Sequence, residues 1–302
     1  MKNFVDAERF CQTSFQSAGC CFFVSTSGKD TPLLFSTEED FIFVMNVIAQ
    51  VSANYDSMKV IAFEVMNNHF HFVIACESEP VIEDFFLVVK KRLFRHFPLI
   101  RPVKLDIRPI LDLNSIRSRI VYTHRNGYVA NPDHTPFSYK WGTGRYYFNE
   151  FPIEGELSKL KVDVKRNMFR GRDPKLPPEW KVIEDYVAPT SFCAIRFGMS
   201  LFRDAHHYFS AVSKNVEAYS GIAGELDDGE YLTDQELFSQ LTQLIRNSYH
   251  VPALRELTKA QRLDLARILH YDYRSSNGQI RRVLGLTQYE VDSLFPMSQN
   301  RR

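Results

Sequence analysis

The feature that most restricts the fold is a pair of apolar runs, Val60 to Met66 and His69 to Cys76, separated only by Asn67 and Asn68. Both runs read as strands, and asparagine tolerates the turn conformations that a two-residue loop demands, so the pattern predicts a tight β-hairpin. The flanking segments supply the rest of a sheet. Cys20 to Ser27 is β-rich and is followed by the turn signals Gly28, Lys29, Asp30 and Pro32. Ser36 with Glu39 reads as a capping box, after which Phe41, Val44, Met45, Ile48 and Val51 recur at helical spacing through about Tyr55. Beyond the hairpin, Ile82, Phe85, Phe86, Val89, Leu93 and Phe97 form one apolar helical stripe ended by Pro98. Val103 to Ile110 reads as a fourth strand and Ser115 to about Gly127 as a third helix. The order strand, helix, strand, strand, helix, strand predicts an α+β chain. Its expected form is a ferredoxin-like (split βαβ) antiparallel sheet with helices on one face.

The remaining chain has a different texture. A length of 302 residues suits about two domains, and the patterning divides it into a sheet domain over 1–150, a connecting region over 151–250 and a small module over 251–302. Pro132, Pro136, Pro152, Pro174, Pro177 and Pro178 predict an irregular connector, with mostly helical chain from 182 to 250. Leu263, Ala266, Ile268 and Leu269 mark one later helix, and Ile280, Val283 and Leu284 the next. Gly285 and Leu286 make a turn, and Thr287 caps a last helix, so the end of the chain reads as a helix-turn-helix.

An apolar content of 44% and aromatic content of 14%, with a net charge of +1, exclude a histone-like basic chain and a disordered acidic one. The five cysteines are odd in number and contain no C-x-x-C, which predicts a reducing compartment with no disulfide framework or thiolate zinc site. Asp6, Glu8 and Arg9 interrupt any secretory apolar core, and no run approaches a membrane span, so a soluble cytoplasmic protein without a membrane partner is expected.

Within the hairpin, His69 and His71 stand at i and i+2 and so share one face of the strand, while Phe70 and Phe72 face the other way. Two adjacent imidazoles can hold one divalent ion, although two ordinary surface histidines satisfy the same pattern. Tyr122 and Asn126 stand one helical turn apart on one face and can approach the same ion or phosphate. Tyr128, Tyr139, Tyr146 and Tyr147 compete with Tyr122 as nucleophiles, and spacing does not choose among them. His124 is rotated about 200° from Tyr122 on the helix and is not placed as its base.

Met66-Asn67-Asn68-His69-Phe70-His71, then Tyr122-Thr123-His124-Arg125-Asn126, then Pro136-Phe137-Ser138-Tyr139 together resemble the HUH tyrosine transposases of the insertion-sequence-200 group, most of all their REP-associated branch. The resemblance covers residues 15 to 150, about half the chain. Asn67 stands where that family usually has proline, and Gly127-Tyr128 where it commonly has Pro-Val. The resemblance implies that His69, His71 and Asn126 hold a divalent cation and that Tyr122 is the nucleophile. The implied reaction is single-strand DNA cleavage through a 5'-phosphotyrosine, and rejoining by a second strand's 3'-hydroxyl. Imidazole and amide donors with open positions suit Mg²⁺ or Mn²⁺ better than zinc. The implied partner is single-stranded DNA with hairpin or inverted-repeat structure, bound by a monomer or homodimer.

Charge along the chain fits a nucleic-acid partner. Lys90, Lys91, Arg92, Arg95, Arg101, Lys104, Arg108, Arg117, Arg119 and Arg125 against Asp106 and Asp112 give residues 90–125 a net charge of +8. Lys140, Trp141, Arg145, Tyr146 and Tyr147 either clamp unpaired bases or form a packed lid. In the terminal module Arg274, Arg281, Arg282, Arg301 and Arg302 are candidate backbone contacts and Gln288 a base reader, opposed by Glu290 and Asp292. Residues 217–236 carry seven acidic residues and no Lys or Arg, which balances the basic block and suggests a brake on non-specific DNA binding. Two other functions suit the same residues: a DNA-binding regulator without catalysis, and a metal-dependent hydrolase of small phosphoesters using water.

Overall fold

The hairpin forms where the two asparagines place it. In the computed structural model its strands are β2 (Lys59–Val65) and β3 (Phe70–Ala75), and the Met66 amide closes the turn onto the His69 carbonyl at 2.9 Å. The structure describes residues 2–26, 31–129, 138–149, 154–171, 175–214, 234–271, 273, 275 and 277–295. Two compact units divide the chain, Met1–Tyr128 with His134–Asp228, and Val129–Asp133 with Gly229–Arg302. This differs from a three-part division at 150 and 250, because residues 151–228 of the connecting region belong to the first unit and 229–250 to the second.

In that unit β1 (Cys21–Thr26) pairs with β3, and β4 (Leu105–Ile110) pairs with β1, giving a four-stranded antiparallel sheet in the order β2-β3-β1-β4. Helices α2 (Glu38–Ser52) and α3 (Glu79–Phe94) bury Val44, Ile48, Val51, Ile82, Phe85, Phe86 and Val89 against Phe22, Val24, Phe63, Phe72 and Ile74 of the sheet. The cap of α2 is Thr37 with Asp40, one residue beyond the Ser36–Glu39 box that the sequence suggests.

The helices are not confined to one face. Every residue of β1 and β3 is buried, so both faces need cover. Helix α4 (Leu113–Val129) lies on the second face, with Arg119 and Tyr122 against the Phe23 ring. An N-terminal helix α1 (Lys2–Ser17), not evident in the sequence, is tied to α4 by a bidentate Arg117–Glu8 pair at 2.6 and 3.1 Å.

The proline-rich connector is ordered and more regular than its composition suggests. Short strands β5 (Gly155–Glu156), β6 (Lys181–Ile183) and β7 (Tyr186–Val187) form a second antiparallel sheet, with α5 (Val162–Met168) nearby in sequence. Buried Asn46 of α2 anchors this segment. Its amide donates to the Met168 and Asp185 carbonyls, and its oxygen accepts from the Val187 amide at 2.9 Å. Residues 141–143 and 193–194 satisfy the open edge of β2 through Val65 N to Trp141 O, Thr143 N to Phe63 O and Ala194 N to Val60 O. Helices α6 (Ile195–Ser200) and α7 (Ala205–Lys214) follow.

The second unit is helical. It contains α8 (Asp234–Tyr249), α9 (Lys259–Tyr271), α10 (Asn277–Leu284) and α11 (Gln288–Leu294) around Leu241, Leu265, Leu269, Ile280, Leu284 and Val291. Gly285 takes the left-handed conformation at φ 66°, and Thr287 with Glu290 forms a full capping box, so a short turn separates α10 from α11. Among the described residues no helix is long and apolar enough to cross a membrane.

Candidate active site

The second face of the sheet carries the candidate residues. His71 stands in register between Glu64 of β2 and Ser25 of β1, so the three side chains share that face. The His71 ring stacks on Phe23 at 5.9 Å and meets the edge of His69 at 4.7 Å. Both histidines are buried, His71 against Tyr122 of α4, where the sequence pattern suggested a sheet surface.

The neighbour of His69 fixes its tautomer. The Asn68 amide nitrogen donates to the Thr31 carbonyl at 2.9 Å, which orients the amide and leaves its oxygen facing His69 Nδ1 at 2.7 Å. An oxygen there can only accept, so Nδ1 is the donor, which in the neutral ring leaves the lone pair on Nε2. Hydrogen bonding of one ring nitrogen to orient the other is how protein histidines are held for metal.

Tyr122 of α4 brings its ring to 5.2 Å from His71, nearly perpendicular, and is 1% exposed. Asn126, one turn further along, is buried. Among the competing tyrosines, Tyr139 donates to Val65 O at 2.6 Å and Tyr147 to Ile61 O at 2.8 Å. Burial pushes the Tyr146 and Tyr147 phenols far above their ordinary range. The Tyr128 side chain lies outside the described residues, as do Pro136 and Phe137. Among those described, Tyr122 is the tyrosine whose ring meets the histidine pair. His124 points into a different network, bonded to Tyr208 Oη and Thr143 Oγ1 at 2.8 Å each, and burial holds its pKa down to about 3.

No family model, no curated protein and no solved structure matches the chain. What the site can do therefore rests on its own chemistry. Among the described residues no group of three or more His, Cys, Asp or Glu is arranged to hold a metal ion. The candidate set is of another composition, two imidazoles with an amide, and the lone pair fixed on His69 Nε2 fits such an ion.

The basic residues do not form one surface around Tyr122. Lys90, Lys91 and Arg92 lie on α3, which covers the opposite face of the sheet, and Arg95 is its C-cap. Lys91, Arg92 and Arg95 are exposed, while Lys90 turns inward to the Val103 carbonyl, where burial lowers its pKa. On α4, Arg117 binds Glu8 and the Leu201 carbonyl, buried Arg125 donates to the Val212 carbonyl at 2.9 Å, and Arg119 lies over Phe23 at 5.1 Å. The aromatic group behaves as packing. Trp141 stacks on Phe41, Lys140 pairs with Glu38 and Glu184, and Arg145 reaches the Tyr186 hydroxyl.

In the helical unit Arg281 and Arg282 are exposed, and Arg281 donates to Gln288 Oε1 at 3.0 Å. The Gln288 amide in turn donates to both Asp292 oxygens, so the candidate base reader is engaged within its own helix. Glu290 pairs with Lys259 at 2.6 Å. Arg274, Arg301, Arg302 and most of the acidic stretch 217–236 lie outside the described residues.

One residue of the site escaped the sequence reading. Glu64 is fully buried near the end of β2, and burial drives its carboxyl well above the ordinary range, opposed in part by the Gly127 backbone amide. The available signal was a lone acid in the run Val60-Ile61-Ala62-Phe63-Glu64-Val65. Gly127 and Gly142 leave room for it: a methyl group on Gly127 would overlap Glu64 Oε2 and the Tyr139 ring. Gly127→Ala is therefore expected to destabilise the protein by about 1–3 kcal/mol through overpacking, against the gain of about 1 kcal/mol normal for this change in a helix. Urea unfolding measures it, and a stabilised variant would refute the packing argument.

Proposed function

We propose that the chain cleaves and rejoins single-stranded DNA through Tyr122, on a sheet of ferredoxin-like (split βαβ) type. The observation that carries this reading is the approach of Tyr122 to His71 beside a His69 whose tautomer is fixed for ligation. In the reaction the Tyr122 Oη gives up its proton to solvent and attacks phosphorus, the bond from phosphorus to the 3'-oxygen breaks, and that oxygen takes a proton from solvent to leave as a 3'-hydroxyl. The product is a 5'-phosphotyrosine, which a second 3'-hydroxyl reverses. A divalent ion, Mg²⁺ or Mn²⁺, bound by His69, His71 and the Asn126 amide would neutralise phosphate charge. With Tyr122 buried, the cover over it must open for a strand to reach the hydroxyl.

Exposed Lys91, Arg92 and Arg95 are the proposed backbone contacts in the first unit, and Arg281 and Arg282 in the second. The same reading places the protein in the cytoplasm as a monomer or homodimer. Incubation with single-stranded hairpin DNA from the gene's own neighbourhood and Mn²⁺ is expected to give a protein–DNA adduct stable to SDS. Its absence on all such hairpins would sink the catalytic reading. Burial of Tyr122 favours a second reading, a DNA-binding regulator, which requires salt-dependent binding indifferent to Tyr122→Phe and to chelator.

A further inference from the structure

We infer that Glu64 supplies the negative charge that makes the His69–His71 pocket a divalent-cation site. The inference rests on the cation-site reading above and adds to it a residue that the reading does not use. Imidazole, amide and phenol donors bring no negative charge, so by themselves they give a doubly charged ion little electrostatic reason to leave water. Glu64 is the acid directly opposite His71 in the strand register and on the same face of the sheet. It is fully buried, no charged side chain pairs with it among the described residues, and the backbone amide of Gly127 is the polar group that faces it.

The surroundings are built around this side chain. Gly142, bridged to Glu64 on the outer edge of β2, would bring any Cβ to 2.6 Å from Glu64 Cγ. Gly127 sits against Oε2 one residue after Asn126. The carboxylate thus lies between the strand that bears His71 and the helix that bears Asn126. A buried carboxylate is costly to the fold unless a proton or a cation compensates it, and a cation held by the neighbouring imidazoles would take the proton's place. Because Glu64, His69 and His71 do not close on a common point, the role assigned is one of charge and not of direct ligation. Outer residues of this kind typically change metal affinity by about 10- to 100-fold.

The test is calorimetric titration of the full chain with MnCl2 in the absence of DNA, accompanied by thermal melting without metal. Wild type is expected to bind Mn²⁺ and His71→Ala to lose binding. Glu64→Gln, nearly isosteric, is expected to bind about 10- to 100-fold more weakly without melting earlier than wild type. Glu64→Asp keeps the charge and is expected to stay within about 10-fold of wild type, well above the Gln variant. If Glu64→Gln binds like wild type while His71→Ala does not, the role of Glu64 is refuted and the cation site stands. If the Asp and Gln variants weaken binding equally, charge is not what Glu64 contributes. An earlier melt of Glu64→Gln without metal would make the residue structural and overturn the inference. No binding by wild type would overturn both.

Discussion

Tyr122→Phe is expected to abolish the covalent DNA adduct, lowering its rate of formation by at least about three orders of magnitude, as deletion of a nucleophile does. The substitution removes one oxygen and keeps the ring that meets Phe23 at 6.0 Å and His71 at 5.2 Å. Little change in melting temperature is expected, because the ring packing that fills the space under α4 is retained. DNA affinity is expected to hold as well, since the basic residues proposed for backbone contact stand elsewhere. The combination discriminates among the readings. Loss of adduct with retained binding assigns the nucleophile. An adduct that persists in Tyr122→Phe would move the chemistry to another tyrosine, and peptide mapping of the adduct would name it. A phosphoesterase using water predicts turnover that survives Tyr122→Phe and is lost in His69→Ala.

Local patterns made the main elements readable. Asn67-Asn68 between two apolar runs fixed the hairpin, and helical spacing found α2, α3 and α4. The i, i+2 and i, i+4 rules placed His69 with His71 and Tyr122 with Asn126 on common faces, because each rule needs only a few adjacent residues. What escaped was non-local. Sequence proximity made residues 90–125 look like one basic surface, yet α3 and α4 cover opposite faces of the sheet. Arg117 and Arg125 are also drawn inward by Glu8 and the Val212 carbonyl, partners about 90 to 110 residues away. The connector is anchored in part by Asn46, whose bonds to Met168, Asp185 and Val187 cross more than 120 residues. Glu64 was unreadable for the same reason. Its meaning depends on Gly127, Gly142 and His71, which only the folded chain brings around it.

The second large effect concerns stability against pH and rests on His124. Its imidazole is buried between Tyr208 and Thr143 with the Tyr147 ring at 4.5 Å, and burial lowers its pKa from the usual 6.5 to about 3. The folded protein therefore keeps His124 neutral where the unfolded chain protonates it. The stabilisation is fully present above about pH 6.5 and is lost progressively as pH falls towards 3. By pH 4.5 the loss amounts to about 3 kcal/mol, at about 1.4 kcal/mol per pH unit. Glu64 works in the opposite direction, because a carboxyl with a raised folded pKa favours the fold as it takes up its proton on acidification. The wild-type curve alone mixes the two, so the difference between wild type and His124→Gln is the informative quantity. At pH 7 the variant is expected to be less stable by about 1–3 kcal/mol, from lost ring packing and hydrogen bonds. At pH 4.5 that deficit is expected to shrink by about 3 kcal/mol, leaving the variant level with wild type or ahead of it. Urea unfolding at the two pH values measures both numbers, and a deficit that stays constant would show that His124 is protonated in the folded chain.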